Sequence, residues 1–218
     1  EPARICPSIG RPLPKVKRVV WRTVPSAGNR RALIERGDAD ISVDMPNKDF
    51  AELKQAGKVD VVTNLIGNGI GYIGMNCKNP PFNNVKVRQA VAYAIDRKFV
   101  LDNIWFGFGR PATGPISSNF KANGLYTAEV KNYNVPNGVD LANKLLDEAG
   151  RKRGADGVRF EIVHDVTPYG EEWRRFGEYT QQQLAKIGIK VTLRVEDVPG
   201  WLRRVYTNYD FQLTNNWI

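Results

Sequence analysis

Apolar and polar positions change rhythm along the chain, and each change marks an element. Over residues 16–23, β-branched and aromatic side chains alternate with basic ones, which predicts a strand. Ser26 then opens a helix to about residue 35, with Gly37 as its stop. A short strand over 39–43, a second helix over 46–55 closed by Gly57, and a strand over 59–63 complete a β-α-β-α-β series. The glycine-rich residues 66–71 lead into a fourth strand over 72–76. After Pro80-Pro81, the pair Asn83-Asn84 caps one long helix over 85–106, with an apolar stripe at Val87, Val91, Ala94 or Ile95, and Val100.

Residues 107–136 read as a long irregular loop in which Phe120, Leu125 and Tyr126 call for burial. A helix over 139–149 ends at Gly150. Strand 158–164, helix 169–187, strand 189–195, helix 199–206 and strand 209–217 then form a second alternating series. Strands alternating with helices predict an α/β protein with parallel sheets, and the break at 77–82 separates two such units.

Composition narrows the class without changing it. Of 218 residues, 42% are hydrophobic and 25% charged, which excludes disordered and low-complexity classes. No run approaches the roughly 18 apolar residues of a membrane-spanning helix. The first residues, Glu1 to Pro7, carry no basic segment followed by an apolar run, as in a cytosolic protein, a processed exported one or an internal piece. The final strand ends at Ile218 with nothing to cover its apolar face, an unusual end for a domain. Cys6 and Cys77 lack C-x-x-C spacing, so a redox motif or zinc site is not expected. They are compatible with one disulfide in an oxidising compartment or with unpaired buried thiols.

The net charge of +9 raises nucleic-acid binding as a possibility. The basic residues, among them Arg18, Arg22, Arg30, Arg31, Arg151, Lys152, Arg153, Arg174 and Arg203, are dispersed over several elements with no nucleic-acid motif beside them, as on a solvated surface. Gly67-x-Gly69-x-Gly71 resembles part of a phosphate cradle, but a strand pattern follows where a dinucleotide site needs a helix. The single histidine, His164, followed by Asp165, suggests half of a hydrolytic relay, with Cys77 as another candidate nucleophile; no nucleophile elbow accompanies either. Glu171-Glu172 sit in a first helical turn, where they complement the helix dipole. Asn215-Asn216-Trp217 differ from these, because the carboxyl end of a strand in an α/β unit is where such sheets bind ligands; a core tryptophan is the competing reading.

Several segments in register resemble one family. Residues 72–76, Tyr-Ile-Gly-Met-Asn, followed by 81–97 with Pro81-Phe82-Asn83-Asn84-Val85 and Arg88-Gln89-Ala90-Val91-Ala92-Tyr93-Ala94-Ile95-Asp96, are similar to the signature of the bacterial extracytoplasmic solute-binding proteins of the peptide/nickel family, family 5. Residues 32–41, 142–150, 181–191 and 209–217 are similar to further segments of that family. The resemblance implies an α/β periplasmic-binding-protein-like fold of class II type, with two lobes of mixed sheets flanked by helices, here incomplete. Residues 1–76 are then the later part of lobe 1, 77–81 a crossover with Cys77, Asn79 and Pro80 as hinge residues, and 82–218 the first part of lobe 2.

It further implies the substrate-binding component of an ABC-type importer. Such a component captures a peptide or similar small solute between its lobes and delivers it to a membrane permease, outside the cytoplasm, as a monomer. No cofactor, metal, nucleic acid or catalysis is implied. The ligand lining carried over is Asn68 and Tyr72 from lobe 1 with Asn215, Asn216 and Trp217 from lobe 2. The family's acidic anchor for a peptide α-amino group lies beyond Trp217, where this sequence stops one residue later.

Overall fold

The computed structural model describes residues 15–43, 45–62 and 69–218, with the backbone alone at 5–6 and 11–12. It divides into two units, Glu1–Met45 and Pro46–Ile218. In the first unit, β1 (Ile5–Cys6) and β2 (Arg11–Pro12) pair antiparallel. Helix α1 (Ala27–Arg36) begins where the Ser26 side chain accepts from Asn29 N, and it ends at Gly37, whose φ of 74° is the left-handed stop that glycine adopts without strain. Residues 16–23 and 39–43, expected as strands, are irregular, with Val19, Trp21 and Ile41 about four-fifths exposed. An alternating pattern becomes a strand only when a neighbour accepts its ladder, and none of the described residues pairs with these segments.

The second unit opens with α2 (Asn47–Ala56), closed at Gly57, as the sequence predicts. Residues 59–62 are again irregular rather than a strand, and residue 63 of that expected strand, with residues 66–68 of the glycine-rich run, Asn68 among them, lies outside the described residues. β3 (Gly71–Met75) follows, and then an exposed turn over 77–80 leads to α3 (Val85–Ala94) and α4 (Arg97–Asn103). The single helix expected over 85–106 is therefore broken. Ile95 is extended, the Asp96 carboxylate caps the N–H groups of Lys98 and Phe99, and the Asp96 N–H donates to the Tyr179 hydroxyl at 3.1 Å. The loop beyond contains a 3-10 turn over Ser118–Asn123 and leaves Leu125 exposed, against the expectation of burial.

Then come α5 (Gly138–Glu148), β4 (Phe160–Val166), α6 (Glu171–Lys186), β5 (Ile189–Val195), α7 (Val198–Leu202) running into a π-helical turn (Arg203–Thr207), and β6 (Leu213–Trp217). The sheet order is β3-β6-β4-β5, with β3 antiparallel to β6 and the other pairs parallel, a mixed sheet of the α/β class.

One face of this sheet is apolar. Ile162, Leu213, Ile189 and Val191 pack there against Val87, Val91, Ala142, Leu146 and Leu184 of the helices. Helix packing is close enough to require glycine at two points. A Cβ on Gly138 would stand 2.3 Å from the Tyr93 carbonyl oxygen, and one on Gly177 would stand 2.7 Å from a Val166 methyl. The opposite face is polar, carrying Asp165, Thr214 and Asn216.

Residues 77–81, read from sequence as the crossover between lobes, form a turn inside the second unit. The ladder between β3 and β6 and the Asn76 side chain, which donates to the carbonyls of Tyr209 and Phe211 at 3.0 Å, bind the residues before this turn to β6 and the segment leading into it. Cys77 carries a free, exposed thiol that donates to the Met75 carbonyl at 3.4 Å. Its anticipated partner, the Cys6 side chain, lies outside the described residues. Asn79 and Pro80 are exposed in the same turn, and the Pro80–Pro81 bond is cis.

Candidate ligand-binding site

The sheet directions bring several chain segments to one edge. β4, β5 and β6 are parallel, so their carboxyl ends coincide, and antiparallel β3 contributes its first residues to the same edge. The start of α6 and the π-helical turn, which follow β4 and β5, complete it. This is the position at which open α/β sheets bind ligands.

Within β6, alternation divides the expected triplet between two faces. Asn215 points to the helices and is fully buried. Its Oδ1 accepts from Thr167 N and its Nδ2 donates to the Trp173 carbonyl, both at 2.9 Å. It therefore fastens β6 to the connection after β4 and to α6, with no surface open to a ligand. Trp217, on the same side but at the edge, is 47% exposed; its ring stacks on Trp173 at 5.5 Å and meets the edge of Tyr169 at 5.0 Å. Tyr169 in turn contacts the buried Trp201, and Trp201 contacts Tyr206. An arc of aromatic rings thus borders the carboxyl edge.

Asn216 faces the other way. It donates from Nδ2 to the Tyr206 hydroxyl at 2.6 Å, and the hydroxyls of Tyr206 and Tyr72 lie 3.3 Å apart. Burial, followed by the hydrogen bond with Tyr206, pushes the Tyr72 hydroxyl up to about 12, so it stays protonated at any physiological pH. The fold thus gathers Tyr72, Asn216 and Trp217 of the expected lining at one edge. Sequence reasoning missed Tyr169, Trp173 and Tyr206, which come from elements up to 134 positions from Tyr72. The available signal was that Tyr169 opens the helix that comes after a predicted strand.

The charged groups of the polar face are engaged with one another. Asp165, buried, accepts from Arg194 at 2.6 and 2.9 Å and lies 3.6 Å from Arg204, which also bonds Glu196 and Asp210. His164, on the apolar face, is completely enclosed. Burial lowers its pKa to about 4, with the Asn215 side chain opposing weakly, and neither ring nitrogen makes a well-formed hydrogen bond. A neutral imidazole sealed among core residues has no route to a substrate, which removes the physical basis of a His164 relay. The basic residues likewise form dispersed pairs, such as Arg174 with Glu178 and Arg175 with Glu171, rather than a stripe. Among the described residues, no group of three or more His, Cys, Asp and Glu could hold a metal ion, and no helix is long and apolar enough to cross a membrane.

Beside β3, a cavity of about 690 Å³ opens between the strand, α3, α4 and the loop after them, lined by Ile73, Ile95, Trp105 and Phe176 with Arg97 and Arg110.

Comparison with known proteins converges on one group. The family model described as bacterial extracellular solute-binding proteins, family 5 middle, matches residues 9–218. The glutathione-binding protein GsiB of Pectobacterium atrosepticum is 31% identical over 187 residues, covering 85% of this chain and 34% of the relative. Heme-binding protein A of Haemophilus influenzae is 33% identical over 174 residues, covering 79% and 30%. Among solved structures, the oligopeptide-binding protein AppA of Bacillus subtilis, in complex with a nonapeptide, superposes with a TM-score of 0.72 at 26% identity, over 89% of this chain and 39% of that one. The chain spans about a third of the length of the curated relatives it matches.

Proposed function

The chain belongs to the bacterial extracellular solute-binding proteins of family 5, and from that premise we propose that the whole protein is the substrate-binding component of an ABC-type importer. It captures a peptide or similar small solute between two lobes and hands it to a membrane permease. Residues 1–76 are the later part of one lobe, 77–81 the crossover and 82–218 the first part of the other, with β3 pairing into the second lobe's sheet. The protein works as a monomer in the periplasm or elsewhere in the cell envelope.

The observation that carries this reading is the carboxyl edge of the sheet, which gathers half-exposed Trp217 on one face of β6 and the Tyr72–Tyr206–Asn216 group on the other. Aromatic surface beside a few placed polar groups suits a binding site, since the rings supply contact area at little entropy cost and the polar groups fix orientation. The relatives named for glutathione and heme, and the structural neighbour holding a nonapeptide, support a medium-sized solute.

The test is a thermal-shift screen of the full-length protein with dipeptides, oligopeptides, glutathione, heme and nickel chelates. A ligand at 100 times its Kd raises stability by about 2.7 kcal/mol, well within detection. A rise in midpoint with a peptide or glutathione is expected, and no shift with any of these solutes would contradict the proposal.

A further inference from the structure

Among the described residues, a cluster of three side chains at the carboxyl edge leaves one acceptor and one donor unused. Asn216 is 7% exposed, and its Oδ1 is buried without a partner while Nδ2 donates to Tyr206. The Tyr72 and Tyr206 hydroxyls share one hydrogen across 3.3 Å, so one of their two O–H groups has no acceptor. Tyr206 sits on the π-helical turn Arg203–Thr207, an irregularity that recurs at functional sites. Native chains seldom leave a buried carbonyl oxygen unmatched, because its desolvation is uncompensated.

The charged side chains of this face, Asp165, Arg194, Arg204, Glu196 and Asp210, are bound to each other. What they leave is neutral: one donor and one acceptor, at the same sheet edge as Trp217 but on the opposite face of β6. We propose that Asn216, Tyr206 and Tyr72 form a specificity subsite for a side-chain carboxamide of the bound peptide. The carboxamide oxygen accepts from the free tyrosine hydroxyl, and its NH2 donates to Asn216 Oδ1. A carboxylate would set oxygen against oxygen at Oδ1, an ammonium would lack the acceptor, and an apolar group would leave both sites unpaired. The group borders solvent on the Tyr206 side, where that residue is 44% exposed. The inference rests on the peptide-binding reading above.

The test uses the full-length protein and titration calorimetry with trialanine and its variants bearing Gln, Glu or Leu at each position in turn. At one position, Gln should bind about tenfold more tightly than Glu or Leu, the scale of an uncompensated buried polar group. Tyr206→Phe, which keeps the ring and so the packing, should erase that preference, as should Asn216→Ala. A preference for Glu, which a reversed Asn216 amide would give, overturns the subsite, as does a Gln preference that survives both substitutions or no Gln preference at any position. If none of the peptides binds the unmodified protein, it is the peptide-binding reading itself that fails, and the subsite falls with it.

Discussion

Identical residue types in adjacent positions take opposite roles here, and the period of the strand decides which. Asn215 and Asn216 are indistinguishable in sequence, yet the first is locked to backbone groups of Thr167 and Trp173 while the second faces two tyrosine hydroxyls. Sequence placed both at a ligand; which one turns toward the helices depends on register with β4, a long-range fact. His164 is a second case. As the only histidine it invited a catalytic reading, but its burial on the apolar face makes it a stability determinant. Its folded pKa of about 4 lies below the ordinary 6.5, so between these values the unfolded chain binds the proton and the folded chain does not. The contribution is complete above pH 6.5 and falls away as pH drops toward 4, by about 3 kcal/mol in all. Urea unfolding as a function of pH checks this: the stability difference between wild type and His164→Leu should shift in the variant's favour across that window, and a difference independent of pH would contradict it.

At the level of elements, local chemistry was readable and long-range pairing was not. The ends of α1 and α2 follow from Ser26, Gly37 and Gly57, because a cap or a left-handed stop is a property of a few neighbouring residues. The expected strands at 16–23, 39–43 and 59–63 needed partners that periodicity cannot supply, and their described residues are irregular. The long helix over 85–106 failed for a reason that was visible in principle: Asp96 is a strong N-cap inside the apolar stripe, and Tyr179 from α6 fixes the break. Asp96→Ala should cost about 1 kcal/mol in chemical unfolding, the usual value of a lost cap. Gly138→Ala should cost roughly 1–3 kcal/mol, since its Cβ would meet the Tyr93 carbonyl and force α3 and α5 apart. A neutral outcome at Gly138 would mean that this helix pair is less tightly packed than described.

For the whole molecule, the family was legible from sequence because its signature segments are local, whereas the site's aromatic arc was assembled only by the fold. Trp173 and Tyr169, from α6 and the connection before it, meet Trp217, and Tyr206 of the π-helical turn joins the arc through Trp201, because three parallel strands end at one edge. The central claim is that this edge binds solute, with Trp217 as its most exposed aromatic contact. Trp217→Ala should lower the unfolding midpoint, because the ring packs on Trp173 and Tyr169, but should leave the chain folded at the temperature of the titration while removing contact area from the ligand. The direct measurement is calorimetric titration of the full-length protein and of this variant with whichever peptide or glutathione ligand the thermal screen identifies. The account predicts saturable binding by the wild type and at least about tenfold weaker binding by Trp217→Ala, as for a buried aromatic anchor. Equal affinity in the two proteins would contradict it.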